Sequence, residues 1–160
     1  MLDLVRQILF LCLAFVVQTT WLHHLRIFEV FPDAVLLVIV FIALRSGAVR
    51  ATFLAFGAGF VQDTYLPAEL GLNALAKSVT AFAVATFRGR VLADAPRVQV
   101  MIICAAVLVH DLIFYAAHGG VPLFEKPYFW LRYGPGRALY TGIAAALVVY
   151  PQRVFRRLHL

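Results

Sequence analysis

The feature that most constrains this chain is a series of long apolar runs, broken by short polar segments that hold most of the arginines. A helix needs about 20 apolar residues to cross the hydrocarbon layer. Six candidate spans follow, Leu4–Leu22, Pro32–Arg45, Ala48–Tyr65, Gly71–Arg88, Val98–Ala117 and Gly136–Pro151. The chain is 63% hydrophobic with a mean hydropathy of +0.89, too little polar residue to coat a water-soluble globule. The fold expected is an all-α membrane protein, six transmembrane helices in one bundle, with residues 1–160 forming a single domain. No internal repeat, low-complexity tract or long linker divides it.

In the second run, the shortest, Pro32 fits the first helical turn and Asp33 complements the positive end of the helix dipole. Only RSGAVR separates the second run from the third, so the two form a helical hairpin that turns at Gly47. Arg6 precedes a short apolar stretch, as in a secretory leader. No small-x-small cleavage site follows and five further apolar segments do, so a retained first span is expected.

The net charge of +6 comes largely from arginines between the runs, where they set topology and meet lipid headgroups; a nucleic-acid partner is not expected. A cytoplasmic N-terminus puts nine basic residues inside: Arg6, Arg45, Arg50, Arg88, Arg90, Arg97, Arg153, Arg156 and Arg157. Five lie outside: Arg26, Lys77, Lys126, Arg132 and Arg137. Both termini are therefore expected in the cytoplasm. Cys12 and Cys104 fall inside apolar runs and behave as small hydrophobes.

Within the third run, Gly47, Ala51, Ala55, Gly59 and Asp63 recur every four residues. Small residues at that spacing cut a shallow groove in which a second helix approaches closely, with a right-handed crossing. Whether that helix belongs to this chain or to a partner is open at this point. Weaker stripes are Ala138, Gly142 and Ala146 in the last run and Ala81, Ala85 and Gly89 in the fourth.

Ionisable residues at membrane depth are costly and face the bundle interior or water. Asp63, Lys77, His110 and Asp111 form a candidate buried polar cluster. Two arrangements fit Asp63: an ion pair with Lys77, joining the third run to the fourth, or a solvated position at the interface. A proton relay is a further reading. Catalysis is not expected. An intramembrane aspartyl protease carries Gly-x-Gly-Asp, whereas Phe60, Val61 and Gln62 separate Gly59 from Asp63. Ser46 and Ser78 lie in no nucleophile-elbow pattern, and His23, His24, His110, His118 and His159 lack chelating spacing, so no cofactor or metal is expected. The segment HGGVPLFEKPYFWLRYGPG reads as an outer loop whose Tyr128, Phe129, Trp130 and Tyr133 form an interfacial belt or a partner patch. The basic tail PQRVFRRLHL reads as an anchor to anionic lipid, or a contact for a cytoplasmic partner.

Ala55-Phe56-x-x-Gly59-Phe60-x-x-Asp63, followed by Leu70-Gly71-Leu72-Asn73-Ala74-Leu75, resembles the GFxxGLxxD…LGxxAL signature of the MreD family of bacterial rod shape-determining membrane proteins. Pro32, the leucine-rich second run and Ala43-Leu44-x-x-Gly47 are similar to it as well. Ala55 stands where the family has glycine and Phe60 where it has leucine; both keep the packing character. The resemblance implies a six-helix fold similar to the substrate-binding subunits of energy-coupling-factor vitamin transporters. It also implies a non-enzymatic role in the elongasome, in the bacterial cytoplasmic (inner) membrane. There the protein would bind the single-span MreC and support the RodA glycosyltransferase and its penicillin-binding transpeptidase partner in lateral peptidoglycan synthesis. The alternative is a vitamin-binding transporter subunit, with Asp63, Asn73, Lys77 and Asp111 lining a pocket.

Overall fold

In the computed structural model the chain is described over residues 2–22, 30–65, 67, 70–88 and 95–158, with side chains to residue 151. His23, His24, Arg26, Gly89, Arg90 and His159, and the side chains of Arg153, Arg156 and Arg157, lie outside this description. Among the described residues there are six α-helices and no strand. They are α1 (Leu2–Val17), α2 (Ala34–Arg45), α3 (Ala48–Asp63), α4 (Leu72–Phe87), α5 (Pro96–Ala117) and α6 (Lys126–Leu158). A wider helical turn, Gln18–Leu22, extends α1. The stretches Leu2–Thr20 and Pro96–Ala117 are long and apolar enough to cross a membrane.

The organising element is α2, which packs against every other helix. Its buried residues, Val35, Leu36, Leu37, Ile39, Val40, Ile42 and Ala43, point in all directions around the axis. A helix apolar all round belongs in an interior. With 12 residues it rises only about 18 Å, and its buried ends are satisfied inside the protein. At its start the Leu36 amide donates to Asp33 Oδ1 at 2.8 Å and the Val35 amide to Gln18 Oε1 at 3.1 Å. Asp33 is thus the N-cap, and Pro32 lies before it instead of in the first turn, a correction to the sequence reading. At the other end Gln7 Nε2 donates to Ser46 Oγ at 2.8 Å, and Arg88 donates to the Ser46 carbonyl.

The small-residue stripe of α3 is covered by this chain itself. Its buried residues are Ala51, Ala55, Gly59 and Asp63; Gly47 precedes the helix and is exposed. A Cβ on Gly59 would lie 2.6 Å from the Cα and nitrogen of Ala74 and 2.6 Å from the Asn73 carbonyl oxygen. Helix α4 therefore fills the Gly59 end of the groove. Deeper in, Ala51 and Ala55 join Leu11, Ala14, Val35, Ile39, Ala81 and Ala85 in one apolar cluster. The α5–α6 pair shows the same device, for a Cβ on Gly142 would fall 2.5 Å from Cys104 Sγ. By contrast α1 buries only Leu11 and Ala14.

Helix α6 begins at Lys126, ten residues before the expected Gly136, and runs 33 residues, about 50 Å. The Gly134-Pro135-Gly136 sequence reads as a break, yet the helix continues through it. Proline costs one backbone hydrogen bond, and helices packed among neighbours absorb that loss. Tyr128, Phe129, Trp130 and Tyr133 consequently lie on a helix, not in a loop.

Because the groove atoms facing Gly59 are backbone, they cannot swing aside. Gly59→Ala is expected to cost on the order of 1–3 kcal/mol, read as a lower unfolding midpoint in detergent. Gly57→Ala, where nothing lies within 4 Å, should show no loss.

Candidate functional site

The polar residues gather at the end of the bundle where α2 begins, α3 ends and α4 begins. They form two adjoining constellations. In the first, α2, α4, α5 and α6 each send charged or polar groups inward. Lys77 Nζ lies 3.1 Å from Asp33 Oδ2, and Arg137 Nη2 lies 3.3 Å from the same oxygen. Arg137 Nη1 reaches Asp111 Oδ1 at 3.0 Å, and His110 Nδ1 lies 3.0 Å from that oxygen too. His110 Nε2 is 3.2 Å from Lys77 Nζ, closing a ring of five side chains. An ammonium can only donate, so Nε2 accepts and Nδ1 carries the proton given to Asp111. Thr141 extends the ring, accepting from the Asp33 amide at 3.2 Å, and the Arg137 guanidinium sits 5.4 Å over the Phe31 ring.

The ring balances two carboxylates against two cations around a neutral imidazole. Asp33, Lys77, His110 and Asp111 are at most 1% exposed, and the Arg137 side chain is 20% exposed. Charges so far from water persist only when paired and hydrogen-bonded, and such a ring fixes geometry more than it adds stability. Asp33 is its node: Oδ1 starts helix α2 while Oδ2 accepts from α4 and α6.

The second constellation belongs to Asp63. Its Oδ2 accepts from the amides of Gly71 and Ala74, and its Oδ1 from the amide and side-chain Nδ2 of Asn73, all at 3.0 Å. Gly71, at φ +93°, is the N-cap of α4 and has no side chain to cap with. A carboxylate from α3 does that work, and the negative charge meets the positive end of the α4 dipole. Gly59, one turn earlier on α3, admits the backbone that Asp63 then holds.

The Asp63–Lys77 ion pair allowed by the sequence does not form; Lys77 turns to Asp33. Nor is Asp63 a solvated interface residue, since it is fully buried. The two are linked through Asn73, whose Oδ1 lies 3.4 Å from Lys77 Nζ. Lys77, His110 and Asp111 do come together, with Asp33 and Arg137 as members that the sequence reading missed. In the sequence Asp33 reads as a helix-start residue and Arg137 as a topology signal. The available clue was a cation placed among Gly136, Ala138 and Thr141 in an otherwise apolar helix.

The carboxylates of Asp63 and Asp111 hold different partners and share no proton. Of the groups that would line a vitamin pocket, Asp63 and Asn73 bind each other and backbone, Lys77 binds Asp33, His110 and Asn73, and Asp111 binds His110 and Arg137. Among the described residues no three His, Cys, Asp or Glu side chains group as metal ligands. The aromatic residues join α6 to α5: Trp130 Nε1 donates to the Leu108 carbonyl at 3.1 Å, and Phe129 stacks on Tyr115 and Tyr133. Tyr128 is exposed and packs with Phe129, while Arg132 lies over Tyr128 and Tyr133. Of the motif residues, Pro32 is buried, whereas Phe56, Phe60 and Leu75 are exposed.

In comparisons with known proteins, a family model described as rod shape-determining protein MreD matches residues 1–155. No curated protein and no solved structure matches the chain.

Two substitutions test the constellations separately. Lys77→Met should destabilise by about 3–5 kcal/mol, the cost of stranding a buried charge. The double variant Lys77→Met, Asp33→Asn should lose less than the sum of the two single losses in detergent melts. Asp63→Asn replaces one acceptor oxygen with a donor facing backbone amides and should cost roughly 1–3 kcal/mol, with faster amide hydrogen exchange confined to the first turn of α4.

Proposed function

The chain belongs to the MreD family of rod shape-determining proteins, and from that premise we propose that it is a non-enzymatic membrane scaffold of the bacterial elongasome. In this reading all six helices cross the inner membrane with both termini in the cytoplasm. The protein binds the single-span MreC and, directly or through it, supports RodA and its transpeptidase partner in lateral peptidoglycan synthesis. The observation that carries the reading is the family match over nearly the whole chain. The site geometry agrees with it: the buried charges are consumed in holding five helices together, an arrangement suited to presenting a fixed outer surface.

The groove of α3, the first candidate for seating a partner helix, is occupied by α4. The opposite face of α3 is the better place. Val49, Phe53, Phe56 and Phe60 are 73%, 74%, 52% and 44% exposed and follow one another at spacings of four, three and four residues. That is the seam of a left-handed helix pair, in which side chains of one helix enter the spaces of the other. The Phe56 and Phe60 rings stack at 6.2 Å, and Gly57 beside them leaves room for close approach. Two residues of the family motif thus face outward, where a partner can read them.

Co-purification with MreC from detergent tests the proposal. The wild-type chain should retain MreC. Phe53→Ala with Phe56→Ala should reduce recovery about ten-fold or more, equivalent to at least 1.4 kcal/mol, with the melting midpoint unchanged. Wild-type protein that is folded and fails to retain MreC overturns the scaffold reading. Full retention by the double variant overturns only the placement on α3.

A further inference from the structure

A cavity of about 1480 Å³ opens on the side of the bundle between α1 and α6, floored by α2. It meets the α3 seam only at Val49, and its reading rests on the topology proposed above, with the Ser46-Gly47 turn on the cytoplasmic side. Its two ends differ chemically. Along most of its length the lining is apolar, with Phe10 and Leu13 from α1, Leu37 and Phe41 from α2, and Val148 from α6. At the end away from the buried charge ring it is bordered by Arg6, Arg45 and Arg50, with Asp3 as the acidic residue among them.

This basic end is built, not incidental. Arg45 closes α2 and Arg50 lies in the first turns of α3, so both flank the Ser46-Gly47 turn. The Gln7 amide holds α1 to that turn through Ser46 Oγ, which brings Arg6 to the same place. Arg6 is matched by Asp3 at 3.0 Å. Arg45 lies 5.9 Å from the Phe41 ring centroid, and neither it nor Arg50 has a carboxylate partner among the described residues. Two guanidiniums therefore stand at the end of an apolar trough.

We infer that this cavity binds an anionic phospholipid, its phosphate held by Arg45 and Arg50 and one acyl chain lying along α2. Guanidiniums pair with phosphate through two parallel hydrogen bonds, and basic pockets between membrane helices are the sites that hold acidic headgroups. A partner helix is the competing occupant, and the charge argues against it. The cytoplasmic flank of a membrane helix is itself rich in lysine and arginine and would meet like charge here. A lipid brings the opposite sign together with the apolar chain that the trough requires. Because α1 buries only Leu11 and Ala14 of its own, such a chain also supplies packing between α1 and α6.

Native mass spectrometry of the full-length protein, titrated in detergent with phosphatidylglycerol or phosphatidylethanolamine, tests this. Phosphatidylglycerol should be retained preferentially, and inorganic phosphate should not displace it at equal concentration. Arg45→Gln with Arg50→Gln should weaken phosphatidylglycerol binding roughly 30-fold, as expected for two surface charges, with helicity by circular dichroism unchanged. Leu37→Trp, which fills the trough and leaves the arginines, should weaken it as well. Equal retention of the two lipids, or undiminished binding by either variant in folded form, overturns the inference. In cells, a photocrosslinking residue at Phe41 should label phospholipid; a discrete protein adduct there would overturn it in favour of a partner helix.

Discussion

The buried charges and the starts of α2 and α4 are governed by one constraint: a charge placed where water does not reach needs a partner inside the chain. Asp33 shows how tightly this binds the fold. One carboxylate oxygen satisfies an amide at the start of α2, and the other accepts from Lys77 of α4 and Arg137 of α6. The central helix lies in the interior, and its beginning is finished in part by a side chain from outside it, Gln18. Remove that node and α2 loses its start, Lys77 its counter-ion and Arg137 one of its two carboxylate partners. Charge burial of this kind contributes little net free energy. Its effect is to admit one arrangement of helices out of many that would bury the same apolar area.

The second polar constellation follows the same logic with backbone donors. A glycine N-cap in the left-handed region leaves the first turn of α4 without a side-chain acceptor of its own, and Asp63 reaches across from α3. The small-residue stripe and the aspartate that ends it are therefore one device. The glycine brings two backbones together and the carboxylate fastens them. That is a reason for the motif to need both residues at that spacing, and it makes the Asp63 carboxylate structural.

Much of this was legible in the sequence. Six apolar runs gave six helices, and the four-residue stripe identified the buried face of α3 from Ala51 to Asp63, with Gly47 falling outside it. The rest was hidden for physical reasons. A sequence places charges along a line, but which carboxylate Lys77 meets depends on how four helices surround it, and Asp33 lies 44 positions away. Arg137 looked like a topology signal because Gly134-Pro135-Gly136 suggested that the helix had not yet begun. Only tertiary packing carries α6 through that proline, and only then does Arg137 fall at ring depth. The aromatic segment was misplaced for the same reason.

The grip of Asp63 on α4 also bears on how the chain enters its membrane. All four hydrogen bonds made by that carboxylate span only 8 to 11 residues, among the shortest loops that a helical hairpin permits. When α3 has just been synthesised it ends in an unmatched negative charge, and the groups that neutralise it are the next ones made. The hairpin is thus self-completing. Neither helix end is satisfied alone, and the carboxylate meets its donors within a dozen residues of translation.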